Sequence, residues 1–161
     1  PKTARLISLL RDAFMRRGFS PISPCPHTGN CPITGQKGGK WCNWAFSTED
    51  APRALLKLSE AAYLPKERAV LSFLALQKTA VGDRAEAEQM AVRVSSEKIR
   101  LAGNRSGYYA CSDMGLLLLQ TDDKLDFGQC IRFSLPKGEL STDRKTGAFI
   151  VPIKAFKSGC Q

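Results

Sequence analysis

The chain has 161 residues, of which 43% are hydrophobic, and this size and composition fit a globular protein with its own core rather than a disordered tail. Twenty-four Lys and Arg against fifteen Asp and Glu give a formal net charge of +9, which favours contact with a polyanion such as RNA over an acidic membrane surface. No apolar run is long enough to span a bilayer, and we expect neither a membrane span nor a secretory signal. The protein is therefore predicted to reside in a reducing compartment, where its six cysteines are free thiols and not disulfides.

Two helices and one buried strand are predicted in the first half of the chain. Residues 3–17 carry apolar side chains at helical spacing, and Gly18 after them is a typical helix C-cap. Residues 47–50 offer N-capping side chains for a second helix that ends near residue 62. The run AVLSFLAL, residues 69–76, is almost continuously apolar and predicts a strand buried on both faces.

The second half has the pattern of a small β domain. Residues 79–91 are rich in Ala and Glu and are predicted to be an exposed linker. Short β-type runs follow, separated by turn-forming Gly, Asp, Asn and Pro, and they predict a small antiparallel sheet or barrel. The predicted strands cover residues 92–95, 107–112, 116–121, 129–135 and 148–153.

Three of the cysteines lie close together in the stretch CPHTGNCPITGQKGGKWCNW, residues 25–44. Cys25, Cys31 and Cys42 are separated by prolines and glycines, which let the backbone bend so that thiolates can approach a shared centre. Three thiolates leave one position of a four-ligand site open. The spacing therefore predicts a metal site that is completed from elsewhere in the chain.

Four residues are candidates for the fourth ligand: His27, Cys111, Cys130 and Cys160. His27 is only two residues from Cys25, an awkward separation for two ligands of one tetrahedron, and a role beside the ligands is favoured. Cys111 ends the predicted strand SGYYAC just before a turn, where its side chain can point toward the loop. Cys130 is read as a buried structural thiol. Four cysteines suit either structural zinc or an iron-sulfur cluster, and spacing alone does not separate the two.

The stretches SPCPHTGNCPITG and WCNW resemble the C-terminal part of the methyltransferase-like ribosomal small-subunit assembly family, found in mitochondria and in bacteria. The family's pattern is approximately PCPH, then CP, then WCHF, and its fourth cysteine corresponds to Cys111 in KIRLAGNRSGYYACSDMG. The resemblance covers residues 1 to about 120. One departure is Asn43, which stands where the family has a histidine after the third cysteine.

The resemblance implies a fold and a cofactor. It implies an α+β chain in which residues 1–78 are the last part of a methyltransferase-like α/β domain with a cysteine-rich cluster loop, 79–91 are the linker and 92–161 are the β-rich domain. It also implies a four-iron four-sulfur cluster, with zinc as the alternative. The glycine-rich turn that binds S-adenosylmethionine is missing from these residues. The pocket for that cofactor is therefore expected in an upstream domain or a separate chain, and the cluster ligands implied by the family are Cys25, Cys31, Cys42 and Cys111.

The function implied is that of an assembly factor of the small ribosomal subunit which binds ribosomal RNA and ribosomal proteins and is not catalytic by itself. Two alternatives are a zinc-stabilised RNA-binding module and part of an active S-adenosylmethionine-dependent rRNA methyltransferase. The expected location is the mitochondrial matrix, or else the bacterial cytoplasm. Four aromatics, Trp41, Trp44, Tyr108 and Tyr109, could stack on unpaired bases, although a place in the core is favoured for any single one of them. The basic residues expected to contact RNA are Lys37, Lys40, Arg100, Arg105 and Lys124.

Overall fold

The computed structural model describes residues 2–33, 42–64, 67–78 and 89–159, which form a mixed α+β structure. The predicted α+β class is confirmed. The helices are α1 (Lys2–Met15) and α2 (Arg53–Ala61). The strands are β1 (Phe19–Ser23), β2 (Trp44–Ser47), β3 (Arg68–Leu71), β4 (Ala75–Lys78), β5 (Met90–Val94), β6 (Ile99–Arg100), β7 (Ser106–Ser112), β8 (Gly115–Gln120), β9 (Cys130–Phe133), β10 (Phe149–Pro152) and β11 (Lys157–Ser158).

The first helix ends as its sequence predicts but buries an unexpected face. Gly18 has φ +81° and its N–H donates to the carbonyl of Met15 at 3.1 Å, a geometry that glycine adopts without strain. The buried residues of α1 are Ala4, Ser8 and Arg11, which share one face at i, i+4 and i+7 spacing. The leucines of α1 are exposed instead. Among the described residues, neither helix combines the length and the apolar character needed to cross a bilayer.

Two small antiparallel ladders follow α1. Strand β1 pairs with β4, and β2 pairs with β3. The prediction of one buried strand over 69–76 is wrong, because residues 72–74 separate β3 from β4 and each strand joins a different ladder. The predicted capping residues before α2 are also not used, since the helix begins after Pro52 without a side-chain cap.

The remaining strands form a seven-stranded sheet with the order β10-β8-β7-β5-β9-β11, and β6 pairs with β7. The sheet was predicted to be antiparallel, and this is wrong for one pair: β10 runs parallel to β8 with Phe149 opposite Leu117. A parallel neighbour requires a long return connection, and the chain from β8 to β10 passes through β9 first. The predicted linker falls mainly outside the described residues, and β5 begins at Met90, inside its C-terminal end.

This sheet curls around one apolar core. Side chains from β5, β7, β8, β9 and β10 meet in a single buried cluster, which requires the sheet to wrap on itself. Residues 89–159 are called the barrel from here on. The fully enclosed members of the core are Val92, Val94, Tyr108, Ala110, Leu117, Leu119, Ile131, Phe133 and Val151.

Candidate metal centre

The buried side chain of Arg11 organises the segment that carries the first two cysteines. Its guanidinium donates to the carbonyls of Gly29 and His27 at 2.7 Å each, and its Nε donates to Cys25 Sγ at 3.2 Å. The side chain is only 2% exposed, although an isolated buried charge is costly. Because three chain acceptors surround the guanidinium, Arg11 fixes the path of residues 25–29 from the side of α1.

Two further contacts bind the same segment to α1. Asp12 Oδ1 accepts from the N–H of Cys31 at 3.2 Å and also from Arg11 at 2.7 Å. Ser8 Oγ, one turn earlier, donates to the carbonyl of Ile33 at 3.3 Å. These contacts explain why the polar face of α1 is the buried one. The loop has few apolar side chains to offer the helix, and its backbone groups must be paired when they are buried.

His27 is buried and lies beside the cysteines as a neutral side chain. Its Nδ1 is 3.3 Å from the guanidinium of Arg11, so the permanently charged Arg11 donates and Nδ1 must be the unprotonated nitrogen. Burial, followed by the positive charge of Arg11, lowers the pKa of His27 to about 4. Asp113, in the turn between β7 and β8, has its Oδ1 3.8 Å from the same Nδ1 and accepts from the N–H groups of Thr28 and Gly29 at 3.2 Å each. The barrel therefore holds the loop directly.

Cys42 and Cys111 come from two other parts of the chain. The carbonyl of Cys42 accepts from Ser72 Oγ at 2.8 Å. Cys111 is the penultimate residue of β7, and its register partners are Arg93 on β5 and Leu116 on β8. The strand thus sets the position of Cys111, as its sequence context predicts.

Arg93 and Trp44 pack together where β2 meets the barrel. The Arg93 guanidinium lies 5.3 Å from the Trp44 ring centroid and donates to the carbonyl of Gly128 at 2.6 Å. Gly128 has φ +83°, and a Cβ there would lie 2.6 Å from the Trp44 ring, so only glycine fits. The Trp44 ring also meets Phe73 edge-on, with centroids 6.2 Å apart.

The four cysteines of the predicted site are free thiols, and their charges influence one another's pKa. Burial, and then the negative charges of Cys25 and Cys31, raises the pKa of Cys42 to about 11. Burial raises the pKa of Cys111 further, with contributions from the other three thiols. Burial also raises the pKa of Cys25, and the charge of Arg11 offsets this only in part. Four thiols from three chain segments therefore share one region, and a cation would favour their deprotonated forms.

This donor set has the composition of a four-thiolate site, but the described residues do not form a compact single-metal site. In the ranges that the structure describes, no group of three or more His, Cys, Asp or Glu side chains could hold a metal ion. Residues 34–41, which lie outside the described residues, include none of these residue types in their sequence. The assignment of Cys25, Cys31, Cys42 and Cys111 as ligands therefore stays a prediction.

Three of the five predicted RNA-binding residues are described, and these three lie away from the cysteines. Lys37 and Lys40 are outside the described residues, whereas Arg100, Arg105 and Lys124 are exposed. Ser106, the first residue of β7, lies beside both of the segments that carry these residues. It is the register partner of Arg100, and its hydroxyl donates to the carbonyl of Thr121 at 3.1 Å, near Lys124 in the sequence. They lie at the opposite end of β7 from Cys111, roughly 17 Å along the strand.

One prediction about another cysteine is wrong, and two arginines were missed. Tyr108 and Tyr109 are 2% and 8% exposed, so each is a core residue, as the sequence favours for any single one of the four aromatics, and neither can stack on bases. Cys130 is disulfide-bonded rather than a free structural thiol. The roles of Arg11 and Arg93 were missed. The signal for Arg11 was a single arginine that follows Ala4 and Ser8 on one helix face.

Comparison with known protein families identifies a match over most of the chain. A family model described as mitochondrial small ribosomal subunit Rsm22 matches residues 1–112. The chain belongs to the Rsm22 family. Comparisons with curated proteins and with solved structures give no match.

The Rsm22 match includes all four cysteines of the proposed site and ends one residue after Cys111. It confirms the resemblance to the small-subunit family that the cysteine motif indicated. The description of the Rsm22 family links the chain to the small ribosomal subunit and to mitochondria. Strands β8 to β11 lie beyond the matched residues.

Proposed function

We propose that this chain is an iron-sulfur assembly factor of the mitochondrial small ribosomal subunit, which binds ribosomal RNA and does not itself catalyse a reaction. The observation that carries the proposal is the gathering of four free, mutually interacting thiols between the Arg11 segment and the barrel, within a match to the Rsm22 family. Cys25, Cys31, Cys42 and Cys111 hold the cluster in this proposal.

The family resemblance favours a four-iron four-sulfur cluster over zinc at this donor set. Both groups take a closed shell of four thiolates. The four thiols influence one another's pKa, which suits either group, and the metal analysis described below distinguishes the cluster from the zinc-stabilised alternative.

The proposed cluster has a structural role. The segment around Cys25 has buried polar side chains and little apolar core of its own, so ligand bonds would supply stability that packing does not. Arg11 donates to Cys25 Sγ, and Arg93 lies within electrostatic range of three of the thiols. Both arginines offset the negative charge of the thiolates and favour their ionised forms.

The proposed RNA contact rests on charge and on the family. The net charge of +9 suits a polyanion, and the Rsm22 description places the family in a ribosomal subunit. An upstream methyltransferase-like domain or separate chain is a further proposed partner. Leu6, Leu9 and Leu10 of α1 are 44–55% exposed and would give such a partner an apolar surface.

The test is anaerobic purification followed by iron, sulfide and zinc analysis and a visible spectrum, for the native chain, Cys111→Ser and, as a control at an exposed residue of the barrel, Ser141→Ala. We expect iron and sulfide in equal amounts with broad brown absorption in the native chain and in Ser141→Ala, and loss of both in Cys111→Ser. Zinc alone would favour the zinc-stabilised module. Absence of metal from the native chain, or equal metal in both variants, would contradict the four-cysteine site.

The RNA part of the proposal needs its own measurement. Binding of single-stranded and duplex RNA by the metal-loaded native chain, across a salt series, is expected to weaken as salt rises. An affinity that is undetectable at low salt would contradict RNA binding and leave the cluster assignment standing.

A further inference from the structure

The barrel has the connectivity of a known nucleic-acid-binding fold class. Its five main strands, β5, β7, β8, β9 and β10, are arranged as β10-β8-β7-β5-β9 with only β8 and β10 parallel. Numbered one to five along the chain, they give the order 5-3-2-1-4. This is the connectivity of the OB fold, a five-stranded, partly open barrel. Fold alone does not specify function, so side chains must identify a binding surface.

The surface on which OB folds commonly bind nucleic acids is covered by apolar side chains in this barrel. OB folds bind oligonucleotides on the outer face of their second and third strands, which correspond to β7 and β8. In this barrel, Tyr109 and Leu118 on that face are buried with Ala148 in a second apolar cluster. Leu116 and Ile150 pack against the same cluster. A nucleic-acid strand therefore needs another surface.

A groove of about 710 Å³ lies along the segment between β9 and β11, where the barrel is open. Strands β9 and β10 both contribute to its walls, and no ladder joins them among the described strands. Arg132, Lys154 and Lys157 line the groove, and its lining residues include neither Asp nor Glu. The groove is thus a basic cleft with no acidic lining residue to neutralise it locally.

Two features suit this groove to a nucleic-acid strand. The Nε of Arg132 is buried and has no hydrogen-bond partner among the described residues. The side chain as a whole is half-buried and lines the groove, so its terminal nitrogens can donate to phosphate oxygens, which fit the planar geometry of a guanidinium. Phe156 is a partly buried aromatic in the same lining, beside Pro152 and Pro136, and offers a wall for a base.

We propose that this groove binds single-stranded RNA, with Arg132, Lys154 and Lys157 on backbone phosphates and Phe156 against a base. This inference rests on the RNA binding proposed above and assigns that binding to a particular surface of the barrel. The site differs from the predicted basic set, since neither Arg100, Arg105 nor Lys124 lines the groove. A single strand is favoured over a duplex because the groove combines phosphate-binding cations with an aromatic ring, and duplex bases are stacked away from such a ring.

The experiment compares two double variants of the metal-loaded full chain that lose the same charge. Lys154→Gln with Lys157→Gln removes two exposed groove lysines, whereas Lys98→Gln with Lys145→Gln removes two exposed lysines that do not line the groove. Fluorescence anisotropy with a labelled oligouridine of about sixteen nucleotides, in a salt series, reports affinity and its salt slope. Thermal unfolding checks that both variants fold.

We expect the groove variant to bind about tenfold more weakly and its salt slope to fall by about 1.4, since each phosphate contact on a single strand contributes about 0.7. The control variant should bind nearly as the native chain does. Phe156→Leu should weaken single-strand binding without changing the salt slope.

The groove is not the RNA site if the groove variant binds with native affinity, or if both double variants are weakened equally. Either result leaves RNA binding by the chain standing. Equal binding of a duplex of the same length overturns single-strand selection. Displacement by polyglutamate at the same charge concentration as RNA identifies an acidic-peptide site instead. No binding by the native chain overturns the proposed RNA function and the groove with it.

Discussion

The barrel and the cysteine-bearing segment are buried in opposite ways. In the barrel the enclosed side chains are apolar and come from five strands, with Leu117, Leu119 and Ile131 at 0% exposed. In the segment formed by α1 and residues 19–33, the most deeply buried side chains include Arg11 and His27, while Leu6 and Leu9 are exposed. The barrel is thus stabilised by apolar burial, whereas the segment depends on hydrogen bonds and, in our proposal, on ligand bonds.

Removal of metal should give the largest difference between the two regions. We expect anaerobic chelation to abolish slow amide exchange in residues 25–33 and to leave slow exchange in β7 and β8, because only the segment needs the ligand bonds. Hydrogen exchange by mass spectrometry before and after chelation measures both regions in one sample. Equal loss of protection in both would mean that the barrel also depends on metal.

Leu119→Ala should have the largest effect of any single substitution on the barrel. Its side chain is fully buried in the core, and its truncation should lower the free energy of unfolding by about 4 kcal/mol. Leu6→Ala on exposed α1 is the matched control and should cost less than about 0.5 kcal/mol. Urea unfolding of the protein as purified measures both. A large effect of Leu6→Ala would show that α1 already buries its leucines in solution.

Arg11→Ala should destabilise the cysteine segment by about 3 kcal/mol, since it leaves the carbonyls of His27 and Gly29 without their donor. Arg5→Ala removes an exposed arginine from the same helix and should be close to neutral. Local exchange at residues 25–31 distinguishes the two. If the variants behave alike, the Arg11 contacts do not hold the loop.

Asp113→Ala should have a smaller effect, about 1 kcal/mol, because its carboxylate is 60% exposed and accepts two N–H groups from the loop. The effect should appear as faster exchange of the Thr28 and Gly29 amides, with β8 unchanged. Asp126→Ala, an exposed site elsewhere on the barrel, is the control. Unchanged exchange at Thr28 would mean that the hydrogen bonds from the loop to Asp113 do not hold the loop against the barrel.

The smallest effect concerns Asp143, in the connection before β10. Hydrogen bonds from Thr146, the Lys145 N–H and Tyr109 hold the pKa of Asp143 below its usual value. Because the folded pKa is below the unfolded one, this carboxylate stabilises the fold above about pH 4, and the contribution is lost as pH falls through the folded pKa. Asp143→Asn should therefore lose slightly less stability than the native chain between pH 6 and pH 3. Asp122→Asn, measured by the same urea titrations, is the control, and a larger acid loss in Asp143→Asn would contradict the assignment.

Local patterns predicted most of the elements, but not their partners. Five of the seven barrel strands fall within a few residues of their predicted bounds, because alternating apolar residues and turn-forming residues are local signals, whereas the two-residue strands β6 and β11 were not predicted. The parallel pairing of β10 with β8 was not predictable, since pairing depends on distant segments. The apolar run 69–76 was predicted as one strand because a continuous apolar stretch does not show where a strand ends. In the structure β3 ends just before Ser72.

The candidate site was predictable only as a set of residue types. The cysteines were recognisable from their Gly and Pro surroundings and from the family motif, and Cys111 from its place at the end of a strand. The partners of Arg11 lie in another segment, so periodicity in α1 assigned the exposed leucines to the core and overlooked the arginine. A buried polar face can be recognised only when its acceptors are known.

The position of Cys111 on β7 has a consequence for biosynthesis. The first three cysteines of the proposed site leave the ribosome during synthesis well before Cys111, and β7 is paired with β5, which in turn is paired with β9. Under the proposed ligand set, an emerging chain can present at most three thiolates until this later part has been translated and folded. Under this ligand set a completed cluster would form only on chains whose translation has passed β7, so shorter translation products would lack it.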